Sequence, residues 1–215
     1  TLFTVDLNAG TLTLYFNEPV NTTSFHSSAL TTQSAVRSRT GVQLTTSNTT
    51  SANGLSIIVK LSIQDLNEIK RIDALYVSAD TSYITITSML VQDMSGNPVF
   101  PIYNGAALKS ASFIDNTGMP HVTSYQLDMN TGYVILYFSE TVNASTLNCT
   151  ALTLSSSLQC TVSHTLGGCV LDTANFSHVS VDIGTPGNGT YDYGNSTKWY
   201  TPYYYGNSIP FWLAL

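Results

Sequence analysis

Apolar and polar residues alternate along much of this chain with a period of two. Leu12, Leu14 and Phe16 are interleaved with Thr11, Thr13 and Tyr15, the pattern of a strand with one buried face. Val134, Leu136 and Phe138 repeat it further along. Further strands are predicted around Leu55, Ile57, Val59 and Leu61, around Ile84 and Ile86, and around Val179, Val181 and Ile183. Turn residues separate them, as in Asp6 to Gly10, Asn53-Gly54 and Ser95-Gly96-Asn97-Pro98. One helix is predicted after Ser62. The serine is its N-cap, Asp65 reaches back as a capping box, and Leu66 and Ile69 form its apolar stripe. The fold class is all-β with one short helix.

The pattern occurs twice. Asp6-Leu7-Asn8-Ala9-Gly10 returns as Asp128-Met129-Asn130-Thr131-Gly132, an offset of 122, and 13 of the 29 residues from 6 to 34 are identical at that offset. Leu14-Tyr15-Phe16-Asn17-Glu18-Pro19-Val20-Asn21 faces Leu136-Tyr137-Phe138-Ser139-Glu140-Thr141-Val142-Asn143. Two copies of one β-sandwich domain are expected, residues 1–117 and 118–215, with Pro120 marking entry into the second.

Phe16-Asn17-Glu18-Pro19-Val20, followed by Val91-Gln92-Asp93-Met94-Ser95-Gly96-Asn97-Pro98, resembles the opening and closing signatures of bacterial-type immunoglobulin-like repeats. Such repeats occur in surface-layer proteins, adhesins and large surface proteins of bacteria, algae and other protists. The resemblance implies tandem Ig-like domains in a noncatalytic extracellular module. The first copy carries both signatures; the second carries only the opening one, Phe138-Ser139-Glu140-Thr141-Val142.

The copies diverge after about residue 155. At equal length the second closing signature would begin near residue 215, the last of this sequence. The helix signature gives way to an aromatic segment that includes Tyr203, Tyr204, Tyr205, Phe211 and Trp212. The second sandwich is therefore expected to be short of its final strand. Either the aromatic tail rebuilds it, or another chain supplies it by β-augmentation. Leu2, Phe3 and Val5 are the candidate donor strand, with the five tail aromatics packing on the neighbouring subunit.

Composition narrows the class. Charged residues make up 9% of 215, while Ser and Thr number 56, so solubility rests on hydroxyls, amides and attached sugar. A net charge of -6 argues against a nucleic-acid partner. No apolar run approaches the ~20 residues of a membrane span. The first residue is Thr1 rather than Met, so a processed product or a piece of something longer is expected.

N-x-Ser/Thr sequons lie at Asn21, Asn48, Asn143, Asn148, Asn175, Asn188 and Asn195. Asn21 and Asn143 hold the same repeat position just after a strand, where N-linked glycans project from a turn. Of the three cysteines, Cys160 and Cys169 flank a hairpin-like stretch and are the expected disulfide, with Cys149 unpaired. Cys149–Cys160 is the competing pair. Cys160, His164 and Cys169 form part of a zinc-like spacing without a clear fourth ligand, so no metal site is expected. Asp6, Asp128 and Asp93, with Glu18 or Glu140, offer oxygens to calcium, but Asx-turn chemistry accounts for the aspartates and no cofactor is assigned.

His26, His121, His164 and His178 are scattered, and neither a nucleophile elbow nor a phosphate loop is present, so no catalytic residue is assigned. The expected function is that of a structural glycoprotein of an extracellular filament or cell-surface coat, its main partner being further copies of itself. The alternative is an adhesin or carbohydrate-binding module of a larger surface protein.

Overall fold

The computed structural model describes residues 1–128, 130, 132–155, 163–167, 170–175, 178–182 and 212–214. The chain is mostly β, with several sheets and, among the described residues, one α-helix. It divides into two compact units, Thr1–Met119 and Pro120–Leu215.

In the first unit the strands are β1 (Leu2–Asp6), β2 (Thr11–Asn21), β3 (Leu30–Gln33), β4 (Gly41–Gln43), β5 (Asn48–Thr49), β6 (Gly54–Lys60), β7 (Tyr83–Ile86), β8 (Gln92–Asp93), β9 (Leu108–Lys109) and β10 (Ser112–Ile114). Helix α1 (Ile63–Arg71) lies between β6 and β7. One sheet runs β10-β1-β2-β6-β5, with β8 on the end of β2; the other runs β4-β3-β7-β9. Alternation turns Phe3, Val5, Leu12, Leu14, Ile57 and Val59 of the first sheet inward. They share one core with Leu30, Val42, Ile84 and Ile86 of the second.

The strand β1 carries a correction. Leu2, Phe3 and Val5 do not leave the unit as a donor strand: β1 lies between β10, parallel to it, and β2, antiparallel to it. Phe3 and Val5 are fully buried, and only Leu2 faces outward. Phe3 and Val5 are more cheaply buried in their own core than held in water for a partner.

The two family-like signatures meet in space. After Tyr15 the ladder between β2 and β6 breaks register and resumes at Val20, so Asn17-Glu18-Pro19 sits in a bulge that tolerates a residue without an N–H. Beyond the bulge Val20 and Asn21 pair with Asp93 and Gln92 of β8.

In the second unit the strands are β11 (Val122–Asp128), β12 (Tyr133–Phe138), β13 (Thr153–Ser155), β14 (Ser163–Thr165), β15 (Val170–Asn175), β16 (His178–Asp182) and β17 (Trp212–Ala214). The sheets run β11-β12-β16-β15 and β14-β13-β17. The offset of 122 holds well past the point where sequence identity fades. Leu12 pairs with Val59 as Val134 pairs with Val181. Asn48 pairs with Lys60 as Val170 pairs with Asp182. Thr31 pairs with Gln43 as Thr153 pairs with Thr165. Only β17 departs: Thr153 pairs with Ala214 where Thr31 pairs with Thr85, an offset of 129. β17 is thus the counterpart of β7. The end of the aromatic segment joins its own unit as that strand and not as a final one.

Candidate functional site

The chemistry-bearing residues of the described chain gather at the turns that follow β2 and β12. β2 ends on Asn21, which caps a 3-10 turn, and Asn143, five residues past the end of β12, caps the equivalent turn. Thr23 donates to Asn21 Oδ1 from its N–H (3.1 Å) and its hydroxyl (2.7 Å). Ser145 does the same to Asn143, at 3.1 and 2.7 Å. Thr150 repeats it on Asn148, which caps the next turn, again at 3.1 and 2.7 Å. A short amide side chain followed two residues later by a hydroxyl closes an Asx-turn on itself, so N-x-Ser/Thr is here a capping motif as well as a sequon. The carbonyl oxygen does the capping, and the amide nitrogen, to which a glycan attaches, is not needed for it. Asn143 and Asn148 are exposed and Asn21 is half-buried. Asn48 is exposed but belongs to β5 rather than to a capped turn. Asn175 ends β15, and Asn188 and Asn195 lie outside the described residues.

Beside the first of these turns lies a cavity of about 320 Å³, lined by Thr22, Phe25, His26, Ser27, Thr45 and Ser47 among others. Its far wall is organised by Asp65. Sequence reasoning gave this residue a reciprocal capping role; the structure shows half of it. Asp65 N–H donates to Ser62 Oγ at 3.0 Å, as a cap requires. The carboxylate, however, turns to the loop between β4 and β5. There it accepts N–H bonds from Thr45, Thr46 and Ser47 and hydroxyl bonds from Thr45 (2.7 Å) and Ser47 (2.5 Å). The Ser62 N–H, which a capping box would offer to Asp65, goes to Ser47 Oγ instead. Burial of Asp65 acts to raise its pKa, but these hydrogen bonds outweigh that and hold it below the ordinary carboxylate value. Three consecutive loop N–H groups give the carboxylate more donors than the single N-cap N–H of a capping box, which is why the box opens.

The acidic turns are likewise self-satisfied. Asp93 Oδ1 accepts from the N–H groups of Ser95 and Asn97, and Oδ2 accepts from Asn97 Nδ2, each at 2.8 Å. These bonds lower its pKa. Asp6 accepts from Ala9 N–H and Asp128 from Asn130 N–H, both at 2.8 Å, with Gly10 and Gly132 in the left-handed region (φ 62° and 75°) closing the same turn in each unit. Among the described residues no three His, Cys, Asp or Glu side chains converge.

The cysteines call for a second correction. Cys149 is disulfide-bonded, so Cys160 and Cys169 do not pair with each other. With three cysteines in the chain, the partner of Cys149 is one of those two, and both lie outside the described residues. Cys149 occupies the position of Ser27 in the first unit, where a 3-10 turn places it in its core. The side chains of His164 and Trp212, and the residues Tyr203, Tyr204, Tyr205 and Phe211, also fall outside the described set. Among the described residues no helix is long and apolar enough to cross a membrane. No protein-family model, curated protein or solved structure significantly matches this chain.

Proposed function

We propose that this chain is a noncatalytic structural glycoprotein, two tandem Ig-like sandwiches that assemble into an extracellular filament or surface coat. The observation that carries the reading is the tandem repeat itself. The strand pairs β2–β6, β5–β6 and β3–β4 of the first unit return in the second as β12–β16, β15–β16 and β13–β14 at a constant offset of 122. Copies of one β unit set in series suit a module whose contacts recur along an assembly. The capped sequons, the disulfide at Cys149 and a surface rich in hydroxyls rather than charges fit an oxidising, extracellular setting. Negative-stain microscopy of native material tests it: filaments or sheets are expected, and monodisperse particles would overturn the reading.

The cavity beside Phe25 and His26, lined mostly by Ser, Thr and Asn, favours a second reading, an adhesin or carbohydrate-binding module. A glycan array on the full chain separates the two. Binding lost in Phe25→Ala with the fold intact would place the ligand there.

A further inference from the structure

At the repeat offset of 122, each of the three cysteines stands where the first unit has serine: Cys149 for Ser27, Cys160 for Ser38 and Cys169 for Ser47. The count runs unbroken between matched elements. The 3-10 turn Cys149–Ala151 matches Ser27–Ala29, and β14 pairs with β13 as β4 pairs with β3. Val170 then pairs with Asp182 as Asn48 pairs with Lys60. The bond that closes each hairpin is also kept: Leu166 N–H donates to the carbonyl of Leu152 at 2.9 Å, and Leu44 N–H to that of Leu30 at 3.0 Å. The place of Cys169 thus follows from the described residues on either side of it, Gly167 and Val170. The first unit, described throughout, shows what lies near each of these positions.

Ser27 and Ser47 line the same cavity. Ser27 Oγ donates to the carbonyl of Thr45 at 3.1 Å, two residues before Ser47, and so ties the turn ahead of β3 to the loop between β4 and β5. Ser38 is elsewhere. It lies between β3 and β4, where its hydroxyl donates to the carbonyl of Thr40 (2.6 Å) and its N–H to Asn104 Oδ1 (3.0 Å). The ladder separates the two places: Leu30 and Leu44 stand at one end, Gln33 and Gly41 at the other, and three strand residues advance about 10 Å. In the second unit Cys149 shares one buried cluster with Leu152 and Leu166, at the first end. The segment that carries Cys160 joins Ser155 to Ser163, at the second. A disulfide needs Cα atoms within about 7 Å, so a bond from Cys149 to Cys160 would have to span the ladder.

We infer that the disulfide at Cys149 is made to Cys169, and that Cys160 takes no part in it. The bond clamps the turn ahead of β13 to the residue ahead of β15. The first unit ties the equivalent loop, Thr45 to Ser47, through the Asp65 carboxylate instead. Forming the bond removes one proton and one electron from each thiol. Both protons and both electrons pass by thiol–disulfide exchange to an oxidised dithiol protein or glutathione disulfide, which leaves as two thiols. The inference rests on the bonded state of Cys149 and on the repeat register, and does not depend on the assembly reading.

The test is a peptide map of the native full chain. Free thiols are blocked with a maleimide in denaturant, without reductant, and the chain is digested with pepsin at low pH, where thiol–disulfide exchange stops. Leu152, Leu154, Leu158 and Leu166 offer cleavage sites between the cysteines. Mass spectrometry should find the Cys149 peptide joined to the Cys169 peptide, with Cys160 in neither. Cys160→Ser should keep the joined pair, and reductant should still lower the thermal midpoint of the second unit by at least about 5 °C. In Cys169→Ser that response to reductant should be lost. A Cys149 peptide joined to the Cys160 peptide, a bond between two chains, or maleimide on Cys149 of the native chain would each overturn the inference. So would a Cys160→Ser chain in which Cys149 is free.

Discussion

Asp65 holds three consecutive loop N–H groups and two hydroxyls with one carboxylate, and at 2% exposure it has no water to replace them. Asp65→Asn keeps the shape but removes the charge and one acceptor oxygen. It should destabilise the first unit by about 3 kcal/mol, read from urea unfolding at pH 7. The sign of the pH effect follows from the lowered folded pKa. Its contribution is fully present above the unfolded value, about pH 3.9, and is lost as pH falls through the folded one. The urea midpoint of the first unit should therefore hold between pH 7 and 5, drop below about pH 4, and drop less in Asp65→Asn. The capped asparagines give the second prediction at this scale. Oδ1 makes the cap and Nδ2 does not, so glycans at Asn21, Asn143 and Asn148 are compatible with the folded turns. Material secreted by a eukaryotic host should lose mass at these three asparagines on enzymatic deglycosylation. Asn148→Ala should also loosen the turn by about 1 kcal/mol whether or not sugar is present, which an unglycosylated sample can reveal.

Among the elements, β1 shows how a local pattern acquires its meaning from its neighbours. Its sequence reads equally well as a free apolar arm or as a strand, and pairing on both sides makes it interior. Deleting residues 1 to 5 should therefore unfold the first unit, visible as collapse of its dispersed NMR signals. Phe3→Ala alone should cost about 3–5 kcal/mol through the cavity it leaves. A truncated chain that kept a native first unit would restore the free-arm reading. The bulge in β2 is a second case. The Glu18-Pro19 signature marks a break in the ladder, and its consequence, the pairing of Val20–Asn21 with β8, involves residues some seventy positions away.

For the whole molecule, the first unit has two sheets closed over one core, and the second has a core of its own. Calorimetry should resolve two transitions, one for each unit. Reduction should lower that of the second unit alone, because Cys149 and both its possible partners lie in residues 120–215. A single transition unmoved by reductant would mean that the units unfold as one and that the disulfide adds nothing to stability.

Period-two alternation, turn residues and an internal offset of 122 were enough to establish a mostly β chain whose second half repeats its first. They also placed β2, β6, β7, β12 and the start of α1, because alternation and capping are local and each residue reports its own environment. The sequons were legible as a motif, though their capping role was not, since an Asx-turn is a matter of backbone angle. Other features depended on which groups meet in space. Tertiary structure decided that the β1 residues are core rather than donor, that Asp65 serves a loop rather than its own helix, and that Cys149 is bonded. It also decided that Trp212–Ala214 takes the place of β7 across an offset that had changed to 129. The repeat register persists in residues 163–182 after sequence identity has gone, because a strand pair constrains hydrogen-bond spacing and the facing of side chains, not which apolar or polar residue fills each place.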